Sequence, residues 1–397
     1  VVTTLVLLAA VRPLSPLRDA LTLGEIPGAG LRLPPAYVAT APFGNVLDTL
    51  SLLSVAQHVA VMVTVGVVYA LWRVLRGHRR TTAWRRAGVE AGGLALLLAG
   101  LLAVYAALAL LPRPMAALAL ADPDEVAVDF HVHTNASHDG RAGWTPETVR
   151  AWLRAGGYDA AYVTDHRRFE GAAAAVAGNP RRAGEGTSMF SGIEVISDRV
   201  HLNVLGATLQ DSAWFRNKTL DPDSIAAFIP ADASRPVVLL TIPANLKRIV
   251  PAMNLHAVEI VDAAPRGLGE TQRKRAEILR MADTLRLALA AASDNHGWGR
   301  TAVGWTLLRV PGWRAMLPSA LDHHIRAEIL ARREAATRVA ERRRFDPADS
   351  WLGVAGTVPE FGWLMLRVLS WPERAAWIAW AWGIWAVAAL ARRARRG

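Results

Sequence analysis

Apolar and polar positions follow two different regimes along this chain. Residues 52–72, LLSVAQHVAVMVTVGVVYALW, form an apolar run of 21 broken only by Gln57 and His58. Residues 89–111 form a second run of 23, with Glu90 at its edge. A spanning helix needs about 20 apolar residues, and buried core helices seldom run so far without charge, so both runs predict membrane spans. Residues 375–391, AAWIAWAWGIWAVAALA, form a Trp-rich run of 17. That is short for a span and also fits a helix lying in the interface. Residues 352–371 are apolar but hold Glu360 and Arg367, and read as interfacial or re-entrant. The opening VVTTLVLLAAV is too short to span, and residues 12–50, rich in Pro and Gly, read as an external loop. No basic segment precedes the opening run, so a signal peptide is not expected. The first residue is Val, which fits either a fragment or an alternative start codon.

The middle of the chain obeys another rule. Short apolar runs at 126–131, 159–164, 189–195, 200–205, 237–242, 257–262 and 287–292 predict strands. Amphipathic stretches at 146–155, 222–229, 270–284 and 319–343 predict helices. Strands alternating with helices over this length point to a parallel α/β barrel or a doubly wound sheet. The chain therefore divides into an N-terminal membrane region, 1–118, an α/β domain, 119–345, and a C-terminal membrane segment, 346–397.

Charge adds an orientation. Arg73, Arg76, Arg79, Arg80, Arg85 and Arg86 lie between the first two apolar runs and mark that loop as cytoplasmic, which places the α/β domain outside the cytoplasm. The terminal Arg392, Arg393, Arg395 and Arg396 agree if residues 375–391 span; Arg342, Arg343 and Arg344, on the side read as external, do not. The basic stretch 326–344 reads as a solvated helix face, with anionic lipid headgroups as the alternative partner. The formal charge of +11 comes with no nucleic-acid recognition motif, so membrane orientation accounts for it better than nucleic-acid binding. The chain has no Cys, which excludes disulfides and thiolate metal sites.

The chemistry gathers at strand ends. In VAVDFHVHTNASHDG, His131 and His133 are two residues apart, and on a strand such side chains share a face. YVTDHRR places Asp165 and His166 at the next strand end, SGIEV places Glu194, VHLNVLG places His201, and SDNHG places Asp294 and His296. Residues converging from several strand ends build the sites of α/β barrels, and this donor set suits Mn, Fe, Zn or Mg rather than Cu(I). Asp165 is expected to orient a ligand ring. The anion of a substrate would find Arg300 first, then Arg167, Arg168, Lys247 or Arg248.

The order DFHVHTNASHDG, VTDH, GIEV, HLNVLG, EIVDA, SDNHG over about residues 125–300 resembles the PHP superfamily, the polymerase and histidinol phosphatase group. The resemblance implies a distorted (β/α)7 barrel, flanked here by transmembrane helices. It implies two or three divalent ions and hydrolysis of a phosphoester by a metal-activated hydroxide. His131, His133, Glu194 and Asp294 would hold the first ion, and Asp139, His166 and His296 the second. Glu194 would bridge to a third ion shared with His201. His138 competes with Asp139 for its place. One position departs from the pattern: Ile242-Pro243 stands where the family has His-Pro, leaving Asn245 or His256 as substitutes for the third ion. The expected protein is a membrane-anchored phosphoesterase acting on a phosphorylated small molecule or other phosphoester, with membrane lipid as its other partner. Two alternatives remain open, an impaired binding or sensor module and an amidohydrolase-type C–N hydrolase, which would need a metal-bridging Lys.

Overall fold

The structure, a computed structural model, describes residues 1–75, 83–197, 199–215, 236–249 and 253–395. The helix expected at 222–229 and residues Arg76, Arg79, Arg80 and Arg396 lie outside the described residues. Twelve strands are described: β1 Leu17–Asp19, β2 Ala29–Arg32, β3 Ala117–Leu120, β4 Glu125–Val132, β5 Ala160–Val163, β6 Ser188–Ser197, β7 Val200–Leu205, β8 Val237–Leu240, β9 Ala257–Asp262, β10 Ala288–Ala292, β11 Gly304–Arg309 and β12 Arg338–Arg342. β2 and β3 pair with each other, and the other ten form one sheet in the order β1-β12-β11-β4-β5-β6-β7-β8-β9-β10.

All seven predicted strands are present, as β4 to β10, but not as a uniform parallel barrel. β4, β5 and β6 pair in parallel, as do β8, β9 and β10, whereas β7 runs antiparallel between β6 and β8. Only two residues separate β6 from β7, far too few for a parallel crossover. The sheet curls until its last strand meets its middle: Asp294 N donates to His131 O at 2.8 Å, and Ala291 N donates to Thr306 Oγ1 at 2.8 Å. β4 is buried at all eight positions, so both of its faces are covered, and the C-terminal ends of β4, β5, β6 and β10 come to one place.

Local signals account for the helices that support this sheet. Pro146–Gly156 begins with Pro in its first turn, capped by the Thr145 side chain, which accepts Thr148 N, and ends at Gly157 with φ 82°. Its buried Val149, Trp152 and Leu153 pack into the core beside β3 to β5. The predicted helix 319–343 is shorter than its sequence suggests. It runs Pro318–Arg332, Arg333 takes φ 51°, and residues 338–342 become β12 between β1 and β11. The basic stretch 326–344 is thus no continuous helical face. Residues 12–50 are no loop either. They hold β1, β2 and helices Pro35–Ala39 and Ala41–Ser51, elements too short to leave a periodic trace.

Buried arginines tie these pieces together. Arg18 Nε and both terminal nitrogens of Arg275 donate to the Glu341 carboxylate at 2.6–2.9 Å, and Arg18 also reaches Asp346. Arg342 Nη1 donates to Asp48 Oδ2 at 2.9 Å, Arg343 Nε to Ser15 O at 2.8 Å and Arg344 Nη1 to Leu268 O at 2.8 Å. The three arginines that disagreed with the charge rule are therefore internal tethers. Close by, burial pushes the Glu270 carboxyl up to about 7, against the pull of Arg275 and Arg344. A raised carboxyl stabilises the fold below its unfolded pKa, and that contribution is lost as pH rises through 7. Glu270→Gln should therefore leave the melting temperature nearly unchanged at pH 4 and stabilise the chain by roughly 2–3 kcal/mol at pH 8.5, read by thermal unfolding at the two pH values.

Among the described residues three helices, Val55–Leu75, Trp84–Ala106 and Trp371–Ala394, are long and apolar enough to cross a membrane. The third is longer than its apolar run because Pro372 and a Ser370–Glu373 capping box start it early. Glu90, at the edge of the second apolar run, pairs with Arg73 at 2.7 Å. The helix Trp351–Arg367 carries Pro359 in its interior and buries Val354 and Phe361.

Candidate metal centre

β4 delivers His131 from its last turn of pleat and His133 just beyond it. Their Nε2 atoms lie 2.9 Å apart. Glu194, from β6, places Oε2 3.1 Å from His131 Nε2 and 3.3 Å from His133 Nε2. Asp294, just after β10, places Oδ1 at 3.4 and 3.1 Å from the same two nitrogens. The Asp294 backbone sits at φ 42°, a left-handed conformation that Asp tolerates better than most residues. Four donor atoms from three strand ends thus face one point.

A second set adjoins the first. Asp139 lies 3.4 Å from His166 Nε2 and 3.3 Å from His296 Nε2, and the His133 and His296 rings stack at 3.9 Å. His166 Nδ1 is 3.1 Å from Glu194 Oε2, and His201 Nδ1 is 2.5 Å from Glu194 Oε1, so Glu194 stands between the sets. His138 is mostly exposed, and its Nδ1 is 3.9 Å from Asp139 Oδ1. Asp139 is the member of that pair that reaches both His166 and His296. The loop can fold this tightly because residue 140 is Gly; a Cβ there would stand 2.1 Å from Thr134 O.

The hydrogen bonds behind the rings prepare them for a cation. Glu259 Oε1 is 2.9 Å from His131 Nδ1, and Asp294 O is 3.0 Å from His296 Nδ1. A carboxylate and a carbonyl only accept, so both rings carry a proton on Nδ1, and Nε2 is the nitrogen each would offer a cation. Ser137 Oγ contacts His133 Nδ1 at 2.9 Å and accepts the His166 backbone N–H. Asp294 Oδ1 and His296 Nε2 are buried without a hydrogen-bond partner. Orphaned acceptors of this kind, beside carboxylates and lone pairs, fit divalent cations.

The electrostatics carry the same demand for positive charge. Burial lowers the His133 pKa, but the adjacent Asp294 and Glu194 carboxylates outweigh it and leave the ring at about 9. His166 is pushed down to about 4, by burial first, and so presents a neutral ring. Burial raises Asp129 to about 6; its Oδ1 accepts the backbone N–H groups of His131 and Ser293 and so ties β4 to the strand end that carries Asp294.

Several residues differ from their sequence reading. Asp165 orients no ring: its carboxylate accepts Thr134 N at 2.6 Å and Thr134 Oγ1 at 2.7 Å, pinning the turn after His133. Ile242, buried, lines the cleft of about 330 Å3 beside the donors, as do Asp262 and Arg266. Neither Asn245 nor His256 lines it: the Asn245 side chain accepts Lys247 N, and His256 Nδ1 accepts Val238 N. Arg300 donates to Leu110 O at 3.1 Å and does not line the cleft, and Arg168 is exposed outside it. Glu259 and Arg266 had no role in the sequence reading. An acid inside the apolar strand AVEIVD was the one available signal for Glu259, and nothing local marked Arg266.

Three solved structures resemble this fold. They are PsfC from Pseudomonas syringae, 16% identical over 60% of this chain and 98% of that one, TM-score 0.39; a candidate metal-dependent phosphoesterase from Bifidobacterium adolescentis, 18% identical over 43% and 88%, TM-score 0.31; and an amidohydrolase from Chromobacterium violaceum, 15% identical over 47% and 89%, TM-score 0.32. No protein-family model matches the chain, and no curated protein matches it.

Proposed function

We propose that the chain is a membrane-anchored, metal-dependent phosphoesterase. The observation that carries this reading is the meeting of His131, His133, Glu194 and Asp294 at one point beside the Asp139–His166–His296 set. His131, His133, Glu194 and Asp294 would hold one divalent ion and Asp139, His166 and His296 a second, and Glu194 also contacts His166 and His201. Mn, Fe or Zn suits the mixture of imidazole and carboxylate best, with Mg as a further candidate. Bound ions would supply Lewis acidity toward a phosphoryl oxygen and lower the pKa of a coordinated water. The protein residues hold the geometry. Glu259 keeps His131 in its Nδ1–H form, Ser137 links the His133 ring to the His166 backbone, and Arg266 on the cleft wall offers a guanidinium to a substrate anion. In this reading the three apolar helices anchor the domain, and the Arg-rich segment between the first two favours a position outside the cytoplasm.

The binding or sensor alternative rests on Ile242, which puts a hydrocarbon where a third ion would need a ligand. The C–N hydrolase alternative lacks its lysine: no Lys lines the cleft among the described residues. Metal quantification on the purified chain, joined to a panel of phosphomonoesters, phosphodiesters and amides, separates the three. About two ions per chain with cleavage of at least one phosphoester is the expected result. Ile242→His should raise metal content from about two toward three ions per chain and increase turnover severalfold. A full metal complement with no turnover of any ester, in the native chain and in that variant, would leave a binding module.

A further inference from the structure

The cleft does not end at the metal donors. Asp139, Ala264, Pro265, Asp294 and His296 line both the cleft and an adjoining lobe of about 440 Å3. Trp152, Ala263, Pro265 and Trp298 give that lobe an apolar wall, and Trp298 is 53% exposed. Nothing in phosphoester hydrolysis itself calls for an open apolar surface beside two metal sites.

The loop that carries Trp298 is fastened to the membrane region. Asp294 and His296 stand at one end of it, Arg300 and Thr301 at the other. Arg300 Nη2 donates to the carbonyl of Leu110, the last residue of the helix Ala83–Leu110. Thr301 Oγ1 accepts Arg113 Nη2 at 2.8 Å and donates to Asp48 Oδ1 at 2.9 Å. Arg141 lies over the Trp298 ring, 5.6 Å from its centroid. Burial and then the charges of Arg141 and Arg113 press the Arg300 pKa down, which marks a place where positive charge is concentrated. Trp beside Arg at the end of an apolar helix is the composition of a membrane–water interface. The lobe therefore joins the metal cleft to the level at which this helix leaves the apolar layer.

We propose that this lobe is a tail subsite, and that the substrate is an amphiphilic phosphoester of the lipid-phosphate class. Its alkyl portion lies against Trp298, and its phosphate reaches inward to Arg266 and the histidine–carboxylate centre. The inference rests on the phosphoesterase reading above and deepens it. Continuity of the two spaces, the apolar wall, the arginine rim and the anchorage at Leu110 all favour this occupant over a free, fully polar phosphate.

Methylphosphonate and hexylphosphonate, both water-soluble and not hydrolysable, test it by calorimetric titration of the full chain in detergent, loaded with Mn(II). Blank titrations into protein-free detergent remove partitioning. Each fully buried methylene multiplies affinity about fourfold. Partial cover of the five added methylenes should make hexylphosphonate bind at least about tenfold tighter, and Trp298→Ala should cut that ratio below about threefold. Equal affinities in the native chain, or no binding of either compound, would overturn the tail subsite. Turnover of the same panel of phosphomonoesters and phosphodiesters, p-nitrophenyl phosphate among them, reports separately on the chemistry. Turnover with equal affinities keeps the phosphoesterase and removes the subsite, whereas a hexyl preference with no ester turnover keeps the subsite and removes the phosphoesterase.

Discussion

Replacing both His131 and His133 with Ala should strip the chain of metal and bring phosphoester hydrolysis to background. These residues supply two of the four donor atoms that face one point, and their rings are buried between Glu194, Asp294 and Glu259. Without the imidazoles, the remaining carboxylates crowd together with nothing positive between them, and a metal has too few ligands to stay. The check is metal content by mass spectrometry alongside turnover. Because the buried Glu194 and Glu259 and the partly buried Asp294 lose their partners, the double variant is also less stable, so Asp139→Asn is the companion. Asp139 is 45% exposed, and its loss removes a donor only from the second set. Expected metal content is near zero in the first variant and about one ion per chain in the second. Two ions retained by the double variant would remove the assignment of these histidines.

The largest stability effect should come from Glu341. Its side chain is fully buried and takes three charge-assisted bonds, one from Arg18 and two from Arg275. Burial alone would raise its pKa; the Arg275 and Arg18 guanidiniums outweigh burial and hold it below the usual carboxylate range. Glu341→Ala leaves two buried guanidiniums facing an empty site, and breaking a buried pair in this way costs about 3–5 kcal/mol. The loss should appear in chemical denaturation, and the segment bearing β1 should become open to protease, since Arg18 is its anchor on β12. A depressed carboxylate contributes stability above its unfolded pKa and loses it as pH falls through the folded one. The native chain should therefore weaken in acid below the ordinary carboxylate range, and Glu341→Ala should weaken less over the same interval.

The network around Glu341 also explains where sequence reading stopped. RVAERRR is rich in residues that favour helices, and its charges look like a solvated face. It becomes a strand because β11 and β1 pair on both its sides and because Arg18 and Arg275, at positions 18 and 275, meet Glu341 in the interior. Local propensity cannot register partners so distant. The same holds at the site. The motif histidines and carboxylates were legible because strand geometry sends i and i+2 to one face and because each lies at the end of an apolar run. Asp165 was legible as a supporting group but not as the clamp on Thr134, since that depends on how the turn after His133 folds back. Arg300 stood next to the right motif, yet its side chain turns to Leu110, while Arg266 reached the cleft from β9's far end.

Sequence alone determined the long apolar helices, the seven strands at whose ends chemistry gathers, the donor residue types, and the hydrocarbon at position 242. All of these follow from short-range periodicity and side-chain chemistry. Only the tertiary structure decided that β7 runs against its neighbours, that three discordant arginines are internal tethers, that Glu259 sets a tautomer, and that the loop carrying Trp298 ends on a membrane helix. Each of those depends on which distant segment lies alongside, and burial and charge pairing select that neighbour only once the sheet has curled shut.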